Sequence, residues 1–169
     1  MMHGLARVLR RKSELTNRSA RSFSMSDMTA AVDTVYQNWC KAWRTLDTDL
    51  MLSLFDLQSD DLAYQSEENE GPLVGGEALT TYWNRATEFL KEIPTWEPLV
   101  KKIVVIGDSA FIYTKLQTSL LTSIFPEAYE GELRATLGLV KRGDDWRIIQ
   151  YHESRQLDLA KEMGFALDA

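Results

Sequence analysis

At Trp96 the hydrophobic period of this chain changes from that of a helix to that of a strand, and this switch restricts the folds open to it. Before that point, Met28, Ala31, Val32, Val35, Tyr36, Trp39, Ala42, Trp43 and Leu46 recur at spacings of three and four, which predicts one apolar helix face behind an N-cap at Ser26-Asp27. Thr48 or Asp49 caps a second, short helix through Leu50, Leu52, Leu54 and Phe55. A short strand over Leu62–Ser66 leads into the polar loop Glu67–Pro72. Gly75-Gly76 then opens a third helix whose stripe is Leu79, Tyr82, Trp83, Ala86, Phe89, Leu90 and Ile93, with Pro94 as its stop. Beyond Trp96 the alternation predicts strands over 97–106, 109–122, 129–142 and 146–155. Gly107-Asp108 has the chemistry of a two-residue hairpin loop. Phe125-Pro126-Glu127 makes a longer turn, and Gly143-Asp144-Asp145 the last one. Helices followed by hairpin-linked strands give an α+β fold with an antiparallel sheet.

Composition narrows the function. Residues 1–24 hold Arg7, Arg10, Arg11, Lys12, Arg18 and Arg21 against the single acid Glu14, so the net charge of −6 conceals a body of 13 basic and 24 acidic residues. So acidic a body repels phosphate backbones and argues against nucleic-acid binding. The leader reads as an organellar transit peptide, a flexible basic tail, or an upstream start with Met25 or Met28 as the true first residue. A single domain is expected over 25–169, placed in the cytoplasm or, if the leader is a transit peptide, in a mitochondrial or plastid matrix. One cysteine, Cys40, allows no internal disulfide, and with only His3 and His152 beside it no zinc-type ligand set forms. No apolar run is long enough to cross a membrane. No cofactor is expected.

The order of elements, α-α-β-(β)-α-β-β-β-β, resembles the nuclear transport factor 2-like superfamily. Within it the chain is most similar to the SnoaL-like polyketide cyclase group and to the association domain of calcium/calmodulin-dependent protein kinase. Trp43 to Phe55, Gly75-Gly76-Glu77 and the last two strands carry the resemblance, which covers about residues 28–155. Arg134-x-Thr136, Lys141, Trp146-x-Ile148 and His152-x-Ser154 match the family's Arg-x-Thr and Trp-x-Ile-x-His-x-His-x-Ser ending, with Gln150 in place of its first histidine. The resemblance implies a cone-shaped, curved sheet wrapped around a long helix, with a cavity open at one end.

Strict alternation puts Trp146, Ile148, Gln150, His152 and Ser154 on one strand face. A three-residue loop would pair Arg142 with Trp146, Thr136 with His152 and Arg134 with Ser154; a one-residue slip would send Arg134 to the other face. The first register groups the polar residues into a pocket floor. There His152 serves as a general acid or base, or is an interior histidine satisfied by Thr136 or a carbonyl. Arg134 clamps a ligand carboxylate, or pairs with Glu132, Glu153 or an acid of the first helix. Tyr64, Trp96, Tyr113, Thr136, Gln150 and Ser154 complete the expected pocket. A carboxylate for enolisation chemistry would come from Asp56, Asp60 or Asp61. Phe111 and Tyr113 on one face of their strand, opposite Ile112, Leu116 and Leu120, leave the outer sheet face apolar, and a homodimer through it is expected. The expected ligand is a small apolar or carboxylate-bearing molecule. The expected activity is proton transfer on an oxygenated, polyketide- or steroid-like ketone. The alternative is a non-catalytic association or ligand-sensing module.

Overall fold

The structure, a computed structural model, describes residues 24–155, so all of the basic leader but Ser24 lies outside the described residues. Helix α1 spans Met25–Thr45. It starts earlier than the Ser26-Asp27 cap predicts, because Ser24 and Asp27 form a reciprocal capping box, each side chain accepting the other's backbone N–H at 3.2 Å. Its apolar stripe buries Val32, Val35, Tyr36, Trp39, Cys40, Ala42 and Trp43. Leu46 ends the helix in the left-handed region at φ 50°, and Asp47 caps helix α2 (Thr48–Ser53) by accepting the N–H of Leu50 at 2.8 Å. The cap is therefore neither Thr48 nor Asp49.

Two short strands follow, β1 (Ala63–Gln65) and β2 (Leu73–Val74), and then helix α3 (Gly76–Phe89). Gly76 is required by close approach: a Cβ there would lie 2.2 Å from the carbonyl oxygen of Leu57. Helix α3 stops at Phe89, ahead of the predicted stop at Pro94, and strand β3 (Leu90–Ile106) takes over Leu90 and Ile93. Pairing decided this boundary: Leu90 sits opposite Thr122, and the Ser123 N–H donates to Phe89 O at 2.8 Å. Pro94 is tolerated because β3 is an edge strand.

Strands β4 (Ser109–Thr122), β5 (Tyr129–Arg142) and β6 (Asp145–Arg155) complete a six-stranded sheet of order β2-β1-β6-β5-β4-β3. All neighbours are antiparallel except β1 and β6, which run parallel with Tyr64 beside Tyr151. The α+β class is as the periods predict, while the sheet is mixed rather than wholly antiparallel.

The last hairpin departs from the expected register and then returns to it. Gly143-Asp144 makes a two-residue turn, so Arg142 faces Asp145 and Lys141 faces Trp146. The expected pairing of Arg142 with Trp146 is absent. A bulge at Ile149 then absorbs one residue, and beyond it Thr136 faces His152 and Arg134 faces Ser154. The bulge also exchanges the faces of β6. Trp146 and Ile148 are buried before it and Tyr151 and Glu153 after it, whereas Gln150, His152 and Ser154 turn outward.

The core lies between the inner sheet face and the helices and is strongly aromatic. Trp43 of α1 stacks on Trp96 of β3 with ring centroids 4.5 Å apart, and meets Trp83 of α3 edge-on at 4.9 Å. Tyr64 and Tyr151 stack at 4.6 Å across the parallel pair.

Candidate active site

Between α3, the start of β3 and the ends of β4 to β6 the aromatic core opens into a cavity of about 480 Å³. Its walls are Trp43, Trp83, Trp96, Ala86, Leu90, Leu120 and Leu133, and Phe89, Phe125 and Tyr129 also border it, each partly exposed. The indole N–H groups of Trp43 and Trp83 are buried and have no hydrogen-bond partner among the described residues. Tyr82, Glu67, Glu68, Glu153 and Arg155 supply polar groups.

Glu153 is the chemically distinctive group. It is only 7% exposed and accepts a short hydrogen bond from the Tyr151 hydroxyl. Burial pushes its carboxyl up to about 7, and the nearby Glu68 and Glu67 add to the rise against the opposing pull of the Tyr151 hydrogen bond. It is therefore poised to hold or release a proton near neutrality. The Tyr82 hydroxyl donates to Glu68. Burial raises the hydroxyls of Tyr64, Tyr82 and Tyr151 above the ordinary tyrosine range, so all three remain neutral. Arg155 donates through Nε to Glu67 at 2.7 Å and through Nη1 to Thr118 at 3.1 Å, with its guanidinium 4.3 Å from the Tyr129 ring centroid.

Residues 32–158 match the SnoaL-like domain family. The chain belongs to this family. No curated protein matches it by sequence. Solved structures similar to this SnoaL-like chain include a nuclear transport factor 2-like superfamily protein from Salmonella enterica serovar Typhimurium LT2, with 15% identity and a TM-score of 0.70 over 80% of this chain and 95% of that one. A nuclear transport factor 2-like protein of unknown function from Pseudomonas putida KT2440 has 18% identity and a TM-score of 0.66 over 82% and 94% of the respective chains. A ketosteroid isomerase-like protein from Erwinia carotovora atroseptica SCRI1043 has 14% identity and a TM-score of 0.65 over 80% and 99%. At these identities the likeness is one of fold.

Only some of the expected pocket residues of this SnoaL-like domain meet at the cavity. Trp96 lines it, whereas Tyr64 is buried against Tyr151 away from the lining, its hydroxyl unpartnered among the described residues. Gln150, His152 and Ser154 lie on the opposite sheet face because the Ile149 bulge turns them away from the helices, and Arg134 and Thr136 lie there by the alternation of β5, whose Leu133, Ala135 and Leu137 face inward. His152 is exposed in a shallow groove with Gln65, Glu70 and Ser154, and this groove shares Glu67, Glu153 and Arg155 with the cavity. Arg134 donates to the Arg155 carbonyl at 2.9 Å, and Glu132 pairs with Lys115 instead. Tyr113 is 41% exposed on the outer face. Among the candidate carboxylates, Asp56 pairs with Arg142 at 2.8 Å, and neither Asp60 nor Asp61 borders the cavity. The residue that sequence reasoning missed is Glu153, whose place in the alternation assigns it outward. Among the described residues no group of three or more His, Cys, Asp or Glu side chains could hold a metal ion, and no helix is long and apolar enough to cross a membrane.

Proposed function

We propose that the cavity binds a small apolar, oxygen-bearing molecule and that Glu153 moves a proton on it, as in ketone isomerisation or cyclisation. The supporting observation is a carboxyl group buried at the wall of an aromatic cavity and held near neutrality. In the reaction, ionised Glu153 takes a proton from the carbon next to the ligand carbonyl. The electron pair moves onto the carbonyl oxygen as the enolate forms. Glu153 then returns the proton to carbon. Solvent deuterium exchange at the α-carbon of 2-tetralone tests this. The protein should accelerate exchange, and Glu153→Gln should lose about 100-fold or more of that acceleration, the usual worth of a positioned base. Equal exchange by the two proteins would remove Glu153 from the chemistry and favour a ligand-sensing role.

We also propose that the outer face of β3 and β4 joins two copies of the chain. Val100, Val104, Phe111 and Tyr113 are 47%, 38%, 48% and 41% exposed, and Val104 sits directly opposite Phe111. Lys102 lies between Val104 and Val100 on this face, and the valine and aromatic surface around it is buried at low cost by a self-complementary partner. Sedimentation should give twice the 19.3 kDa chain mass, and Phe111→Lys should give a monomer. A monomeric parent protein at micromolar concentration would refute the dimer.

A further inference from the structure

Charge around the cavity is one-sided. Among the described residues, Glu67, Glu68 and Glu153 border it against the single cation Arg155. That cation is already committed, to Glu67, to Thr118 and to the Tyr129 ring. Glu68 and Glu153 instead receive hydrogen bonds from the neutral hydroxyls of Tyr82 and Tyr151, and neither makes an ion pair among the described residues. Two carboxylates near each other at the edge of an apolar space favour any cation that enters. The walls act in the same sense, because indole and phenol rings attract a cation to their faces.

We infer that the ligand carries a protonated amine, seated between Glu68 and Glu153, on an apolar body held by the tryptophans. This rests on the cavity being the ligand site, as proposed above. It reverses the expectation of a carboxylate-bearing ligand, since Arg134 lies on the other sheet face and a carboxylate in the cavity would meet Glu68 and Glu153 with like charge. An ammonium placed there exchanges its hydration for two carboxylates and the aromatic walls, so its desolvation is offset by groups already in position.

Calorimetry of the full chain at about pH 8, where Glu153 is mostly ionised, separates the possibilities with three probes of one shape: 4-phenylbutylamine, 4-phenylbutan-1-ol and 4-phenylbutyrate. The amine should bind about ten-fold more tightly than the alcohol or better, and the carboxylate least of all. Glu68→Gln, a change in an exposed loop residue, should remove most of the preference for the amine and leave the alcohol unchanged. Equal affinity for amine and alcohol, or an equal loss of both in the variant, would overturn the inference and leave the cavity reading standing. No heat from any of the three would overturn both. Selective amine binding without α-exchange of 2-tetralone would uphold the inference and remove the enzymatic reading.

Discussion

Glu153→Gln is expected to make the protein more stable above neutral pH by up to about 3 kcal/mol, although it removes the group on which the proposed chemistry rests. Burial raises this carboxyl from its ordinary 4.5 to about 7, so between those values the folded chain holds a proton that the unfolded chain has released. Stability of the parent protein should therefore fall as pH rises from about 4.5 to about 7, and stay level above that. A shift of this size corresponds to about 3 kcal/mol. Glutamine has nearly the same shape, accepts the Tyr151 hydroxyl through its carbonyl, and does not titrate. Its stability should lack this slope. Urea denaturation at a series of pH values measures the difference, and parallel profiles for the two proteins would show that Glu153 is solvated in solution. A variant that is stabler and inactive would fit the common pattern in which a site group is kept at a cost to the fold.

Trp39→Ala should destabilise the domain by about 3–5 kcal/mol, the usual cost of removing a large aromatic from a packed interior. Trp39 is fully buried, and its ring centroid lies 5.8 Å from that of Tyr36, 5.4 Å from Trp96 and 5.9 Å from Tyr151. The change would break the joint between α1, β3 and β6 at once. Thermal denaturation should show the loss as a melting point lower by many degrees. A loss under about 1 kcal/mol would mean that the neighbouring rings close the space.

Several elements were legible without coordinates, for local reasons. Strands β4 and β5 occupy 109–122 and 129–142, the ranges that alternation predicts, because each buries one face and its parity is unbroken through the core. Gly107-Asp108 predicts its hairpin because Gly107 takes φ 59°, a left-handed conformation that glycine adopts without strain. The stripe through Trp39 and Trp43 predicts the buried face of α1 because helical spacing alone brings those side chains together. Where α3 ends was not legible. Leu90 and Ile93 continue the helical spacing, and only the partner strand, with Thr122 opposite Leu90, draws them into β3.

The candidate site shows the same division. The sequence by itself determined a helix-then-strand chain, an aromatic core and a polar end to the last strand. Which face that polar end presents was decided by tertiary structure. The two-residue turn starts the β5–β6 pairing one position away from the expected register, and the bulge at Ile149 restores it, so Glu153 turns inward while His152 turns outward, beside Arg134, which the alternation of β5 already places on that face. No glycine or proline at Ile148-Ile149-Gln150 announces the bulge. It answers constraints that come from elsewhere in the chain: Leu54 and Asp56 bond the backbone of Ile148 on one side of it, and β1 pairs alongside Gln150 to His152 on the other. Side chains alternate strictly along a strand, so a single inserted residue is enough to exchange the groups that face the cavity with those that face away.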